Sequence, residues 1–273
     1  MKKSLFYILL PAALLLTACN PVVDDIPMGG VLAESQLNID VHATTDGGNQ
    51  IVLSNNTPGV GSYWDYIVGR SAAQRDTVTL PFLGEQSITF TGLCDGGTVT
   101  TTRKINITHI DHPVAPEWNY FAGSGTDGKT WTWDPDADAP YGEGGYLAEY
   151  APDWTKVTID QTSDPGSYMT FDLNGGPNFT HYNSKGEVVE KGTFAFDMSQ
   201  TKANADDSTP WAIGTLTLNG ATVLNGHIVG DTAAVYKFDI LTLNDDHLVL
   251  SAAPEGTAAW DSATFWLFKR KNK

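Results

Sequence analysis

Between residues 133 and 154 the sequence gathers the side chains from which a sugar-recognising surface is made. Tyr141, Tyr146, Tyr150 and Trp154 stand among Pro140, Gly142, Gly144, Gly145 and Pro152, a stretch too broken for a central strand and so expected at the surface. Trp133 leads directly into it, and Trp260, between Ala259 and Asp261, falls in the turn before the last strand pattern. Flat aromatic rings stack on the C–H faces of pyranoses, while Asp, Asn and Gln beside them take the hydroxyls. Trp133, Tyr141, Tyr146, Trp154 and Trp260 are therefore the candidate carbohydrate-binding residues. Large β cores use tryptophan too, and Trp131, Trp211 and Trp266, which lie inside strand patterns, are assigned to the core.

The run Asp134-Pro135-Asp136-Ala137-Asp138 places three carboxylates at alternate positions, the start of a calcium loop if a cation holds them together. Ala139 stands where such a loop needs its glycine, and Gly145 where it needs a bidentate Glu. A solvated acidic turn is the favoured reading. The alternative is a structural Ca2+ on Asp134, Asp136 and Asp138 that fixes the aromatic loop. No other cofactor is implied. For catalysis, Glu143, Glu149 and Asp153 sit in an irregular segment, and no strand carries the Glu-x-Asp-x-x-Glu run of β-sandwich glucanases. Gly-x-Ser-x-Gly, His-Glu-x-x-His and Gly-x-x-x-x-Gly-Lys are absent, and the six histidines are spread along the chain. The reading is non-enzymatic.

The elements that must position these residues are strands. The 32 acidic residues of the 273 outnumber 16 basic ones, for a formal charge of −16, and 24 of the acids are Asp, a turn residue. Scattered Lys and Arg in so acidic a chain disfavour nucleic acid as a partner. Short Val, Ile, Thr and aromatic runs separated by Gly, Asn and Asp fill the chain from about residue 38, as in Thr98 to Thr102 and Ile105 to Thr108. There is no convincing amphipathic helix. Pro113 and Pro116 break the pattern, so residues 38–112 form a first domain, 113–117 a linker and 118–273 a larger second domain. The fold class is all-β: an immunoglobulin-like sandwich, then a β-sandwich or lipocalin-like barrel.

Residues 1–18 read as an export signal, with Lys2 and Lys3 before an apolar run too short to span a membrane. The run ends in Leu16-Thr17-Ala18-Cys19, which resembles a bacterial lipobox, and that likeness implies acylation of Cys19 and a membrane anchor. Residues 19–37, with Pro21, Pro27, Gly29 and Gly30, then form a tether. Its Asp24 and Asp25 resemble the surface-export signal of Bacteroidetes lipoproteins. The one other cysteine, Cys94, reads as a buried strand thiol.

Tyr63-Trp64-Asp65-Tyr66, with Ile88 to Thr91 and Thr98 to Thr100 downstream, resembles a PKD domain over roughly residues 40–108. In that family the tryptophan packs between the sheets, and Trp64 takes its place. The usual Gly-Asp-Gly is replaced by Ile67-Val68-Gly69-Arg70. Lipobox, PKD-like domain and Trp-rich β module together resemble the surface glycan-binding lipoproteins of Bacteroidetes polysaccharide-utilisation systems. The resemblance implies a non-catalytic protein on the outer membrane, facing outward, that holds a glycan near an outer-membrane transporter complex. A glycoside hydrolase of unusual motif, a lipocalin-like binder of a small apolar ligand and a structural envelope lipoprotein are the alternatives.

Overall fold

The computed structural model describes residues 29–163, 165–225 and 234–271. Residues 1–28, to which the expected export signal, the expected acylation site Cys19 and the first part of the expected tether belong, lie outside the described residues. The chain is all-β, with one short α-helix and two 3-10 turns among the described residues.

The first unit contains β1 (Ile39–Ala43), β2 (Gln50–Asn55), β3 (Gly61–Asp65), β4 (Arg70–Ser71), β5 (Arg75–Thr79), β6 (Gly84–Cys94) and β7 (Gly97–Ile107). They form two antiparallel sheets, ordered β1-β2-β5 and β4-β3-β6-β7, an immunoglobulin-like sandwich. The period-two sequence turns Ile51, Leu53 and Val78 of one sheet against Ile88, Phe90 and Ile107 of the other. Trp64 is fully enclosed, 4.5 Å from the Phe90 ring, and its Nε1 donates to the Ala73 carbonyl. Burying the indole with its N–H satisfied makes it the centre of this core. Cys94, expected to be buried, ends β6 and is only partly covered.

The chain leaves this unit through a bonded corner. The buried Asn49 amide donates to the carbonyls of Leu80 and His112 and accepts from the amides of Asp111 and His112. The Asp111 carboxylate accepts from the Thr45 hydroxyl and the Asn49 amide and lies 3.0 Å from His112 Nδ1. The bonds from Thr45 and His112 hold it well below the usual carboxylate range.

The second unit contains β8 (Lys129–Trp133), β9 (Tyr141–Gly145), β10 (Thr155–Val157), β11 (Tyr168–Asp172), β12 (Asn178–Tyr182), β13 (Val188–Asp197), β14 (Lys202–Ala203), β15 (Pro210–Ala212), β16 (Gly214–Asn219), β17 (Lys237–Leu243), β18 (His247–Ala252) and β19 (Ser262–Arg270). Strands β8, β11, β12, β13, β16, β17, β18 and β19 are neighbours in that order, and β19 returns to β8 with Phe268 opposite Trp133. The ring is closed, which removes its sheet edges. This decides between sandwich and barrel. An eight-stranded barrel is just wide enough to be filled by side chains, and here Trp131, Trp133, Phe171, Phe194, Phe238 and Trp266 fill it.

One end is plugged by α1 (Pro116–Ala122), a helix that the sequence pattern did not announce. Pro116 opens it and Gly123, at φ 75°, ends it. Seven residues are too few for a helical period to show. Phe121 enters the barrel 5.3 Å from Phe171, and its carbonyl accepts from Trp131 Nε1. Trp118, about one turn earlier on α1, packs on Phe194 and Phe196 and also meets Phe82 of the first unit at 5.6 Å, and Leu83 bridges to Asn174. The sandwich therefore abuts the plugged end of the barrel.

Strand β19 has nine residues and, on the edge away from β18, serves two partners: its second half pairs with β8 and its first half with β9. β8 and β9 are thus one interrupted strand, and the Asp-Pro-Asp-Ala-Asp run is the excursion between them. Leu267 closes the excursion from both sides, accepting from the Asp134 amide and donating to the Pro140 carbonyl.

Candidate functional site

Strand β9 reads Tyr-Gly-Glu-Gly-Gly, a composition that suggests a loop. The structure explains the glycines. Residues 147–155 fold back across the strand, so a Cβ on Gly142 would stand 1.9 Å from the Thr155 carbonyl oxygen, at a φ of 152°. At Gly145 the neighbours are aromatic: a Cβ there would lie 2.9 Å from Trp260 Cε3 and 3.5 Å from Trp154 Cζ2. Two indoles rest on the same bare stretch of backbone. Each keeps 49% of its surface exposed, although apolar burial would favour covering both.

Each indole is set by the backbone around it. The amides of Asp153 and Trp154 both donate to the Glu143 carbonyl. The Trp260 amide donates to the Tyr146 carbonyl, and the Tyr146 amide to that of Asp261. Trp260 Nε1 donates to Asp206 Oδ1 at 3.0 Å, which fixes the ring about its long axis. Asp206 in turn sits in a turn closed by Asn204 Oδ1, and the buried Asn204 amide reaches the Ala148 carbonyl.

The same loops hold strained backbone. Trp260, Leu147 and Ser208 have φ of 68°, 58° and 62°, and they make up three of the four non-glycine residues at positive φ among the described residues. Such conformations cost of order 1–3 kcal/mol each and collect where a site must be held in one shape. Leu147 and Ser208 lie on the two segments that brace the Trp260 loop, joined by the bond from the Ala205 amide to the Leu147 carbonyl.

The other candidate residues are placed differently. Trp133 and Tyr141, expected at the surface, are 2% and 4% exposed and face the barrel core, their rings 5.9 Å apart. Trp133 is inward by the alternation of β8, and Tyr141 is inward because β9 continues that strand. Tyr146 is half-buried and props the platform from below. Its ring meets Trp211 edge-on at 5.1 Å, and its hydroxyl accepts from Lys202, which is also paired with the buried Asp239. Trp211 Nε1 donates to the Glu149 carbonyl, so the assigned core tryptophan also anchors the loop. Tyr150, exposed nearby, donates to the Pro210 carbonyl.

The carboxylates around the indoles are tied to their own loops. Glu149 Oε2 accepts from the Gly145 amide at 2.6 Å, and Glu143 accepts from the hydroxyls of Thr155 and Ser262. Asp134 accepts from the Asp136 amide, and Asp136 is paired with Lys269. No cluster of three or more His, Cys, Asp or Glu arranged to hold a metal occurs among the described residues. Asp134, Asp136 and Asp138 lie in the turn that interrupts the strand.

A separate cavity of about 240 Å³ opens at the barrel end away from α1, lined by Tyr141, Trp266, His181 and Glu190 among others. Pockets for small ligands typically run to about 300–1,000 Å³, and the barrel interior below it is filled with rings.

No family model matches the chain, and no curated protein does. The chain is similar to the PKD1 domain of Vibrio anguillarum Epp, at 23% identity over 26% of this chain and 90% of that one, with a TM-score of 0.23. It is also similar to a carbohydrate-binding module of the beta-sandwich superfamily, at 12% identity over 86% of this chain and 90% of that one, with a TM-score of 0.23.

Proposed function

We propose that the chain is a non-catalytic carbohydrate-binding protein whose binding face is the Trp154–Trp260 platform on the outer wall of the barrel. The observation that supports this reading is the pair of half-exposed indoles seated side by side on Gly145, one of them pinned by Asp206 and held on strained backbone. A flat, rigid, apolar surface rimmed by hydrogen-bond acceptors matches the faces and edges of a pyranose. The sandwich acts as a spacer, since its one tryptophan is enclosed. Acylation at Cys19 would tether this assembly to a membrane; replacing Cys19 by Ser should then release the protein from the membrane fraction and abolish incorporation of labelled palmitate.

The test is calorimetric titration of residues 20–273 with a panel of soluble polysaccharides, followed by tryptophan fluorescence. A saturable isotherm with at least one glycan, weakened about tenfold or more in Trp154→Ala and in Trp260→Ala, is expected. Gly145→Ala, whose Cβ would displace the Trp260 ring, should weaken binding by a smaller factor. Full affinity in both tryptophan variants would sink the site, and a folded protein silent across the panel would sink the function.

A further inference from the structure

The platform lies in a strongly acidic neighbourhood. Asp153 precedes Trp154, Asp261 follows Trp260, Asp206 holds the Trp260 indole, and Glu143 and Glu149 bond to the strand and loop that carry the two rings. One cation stands among them, Lys156, and its Nζ is paired with Asp153 at 2.9 Å. Lys202 on the far side of Tyr146 is spent on Asp239 in the same way. Several of these carboxylates have an oxygen that no loop hydrogen bond engages: Asp206 uses Oδ1 on the indole, and Asp261 uses Oδ2 on the Ala258 amide.

Ionised carboxylates accept hydrogen bonds and cannot donate them. A ligand that lies on these rings must therefore bring donors and no negative charge of its own. Hydroxyl groups meet both conditions, whereas uronate carboxylates and sulfate esters meet neither, and the whole-chain charge of −16 repels them further.

We infer that the platform selects uncharged glycans, with acceptor carboxylates reading the sugar hydroxyls and excluding acidic polysaccharides. This rests on the platform reading above. Binding is enthalpic at the rim and insensitive to salt, because no ion pair forms with the ligand.

The experiment is affinity electrophoresis and calorimetry of residues 20–273 at low and at moderate ionic strength. The ligands are neutral polymers (β-glucan, xylan, galactomannan) and acidic ones (polygalacturonate, alginate, heparin), with Trp154→Ala as the platform control. At least one neutral polymer should bind, with less than threefold change between the two salt conditions, and every acidic polymer should bind at least tenfold more weakly. The double variant Asp153→Asn, Asp261→Asn, which frees Lys156 and keeps one side-chain oxygen at each position, should narrow that gap. Tight binding of an acidic polymer that is lost in Trp154→Ala would overturn the charge selection and leave the platform standing. Failure of neutral and acidic polymers alike, with the fold intact, would overturn the platform reading and the selection with it.

Discussion

The tryptophans of the barrel fall into two groups, of which strand pattern alone misplaces only Trp133, and they are built for opposite ends. Trp131, Trp133 and Trp266 point inward and interlock with other rings. Trp154 and Trp260 point outward, touch a glycine and leave half their surface in water. The inner set follows from strand alternation, with no strained backbone of its own, and is stabilised by burial. The outer set is fixed by loop hydrogen bonds and by a residue at positive φ, so its geometry costs stability instead of adding to it. A large apolar side chain held in place against the hydrophobic effect marks a surface with a purpose.

The contrast is sharpest in stability. Trp133→Ala leaves a cavity beside Tyr141 and Phe268 and should cost about 3–5 kcal/mol, seen as a large fall in the urea midpoint. Trp133→Phe should cost much less, because Trp133 Nε1 is a buried donor with no acceptor among the described residues and its removal relieves that. Trp154→Ala should change the unfolding free energy by less than about 1 kcal/mol. Equal losses at Trp133 and Trp154 would erase the distinction between the two groups.

Within the outer group, Asp206 orients the Trp260 ring through the bond it accepts from Nε1. Asp206→Ala frees the Trp260 indole and should weaken glycan binding by about 1 kcal/mol, roughly fivefold, whereas Asp206→Asn keeps an acceptor and should bind close to the wild type. If Ala and Asn behave alike, the bond does not position the ring.

Much of the fold could be read before the structure, and the reasons for the misses are physical. Trp64 and Trp131 sit in clean alternation, so their burial was legible. β9 was not, because a strand of Tyr-Gly-Glu-Gly-Gly has the composition of a loop; its glycines answer to close approach by the 147–155 segment, which is a tertiary fact. Misreading β9 as loop is also what put Tyr141 at the surface. Barrel closure depends on Trp133 facing Phe268, a pairing between the two ends of the domain that local pattern cannot carry. The aromatic content of residues 141–154 pointed to the stretch that carries Trp154, which the structure leaves half exposed. The partnership of Trp154 with Trp260 arises only because β19 lays its first residues along β9.

The corner between the two units answers to acid through one carboxylate. Asp111, at the corner where the sandwich hands over to the barrel, has its folded pKa depressed by the bonds from Thr45 and His112. A depressed carboxylate stabilises the folded state above its unfolded pKa of about 3.9, and that contribution is lost as pH falls through the folded value. Asp111→Asn should therefore lower the melting temperature at pH 7 and make less difference as the pH drops below about 4. A melting difference that stays constant over that range would remove Asp111 from the account.

The smallest effect tests whether strain without purpose can be removed freely. Ile67 has φ of 74° and is exposed in the turn after β3. A β-branched residue in that conformation costs roughly 1–2 kcal/mol, while a glycine there loses about 0.5–1 kcal/mol of chain entropy. Ile67→Gly should thus raise stability by about 0.5–1 kcal/mol and leave glycan binding unchanged. Trp260 shares the conformation, yet Trp260→Gly should relieve the strain only at the loss of binding. A binding defect in Ile67→Gly would mean that the sandwich is more than a spacer. An unchanged affinity in Trp260→Gly would mean that strain at the platform is as idle as strain in the turn.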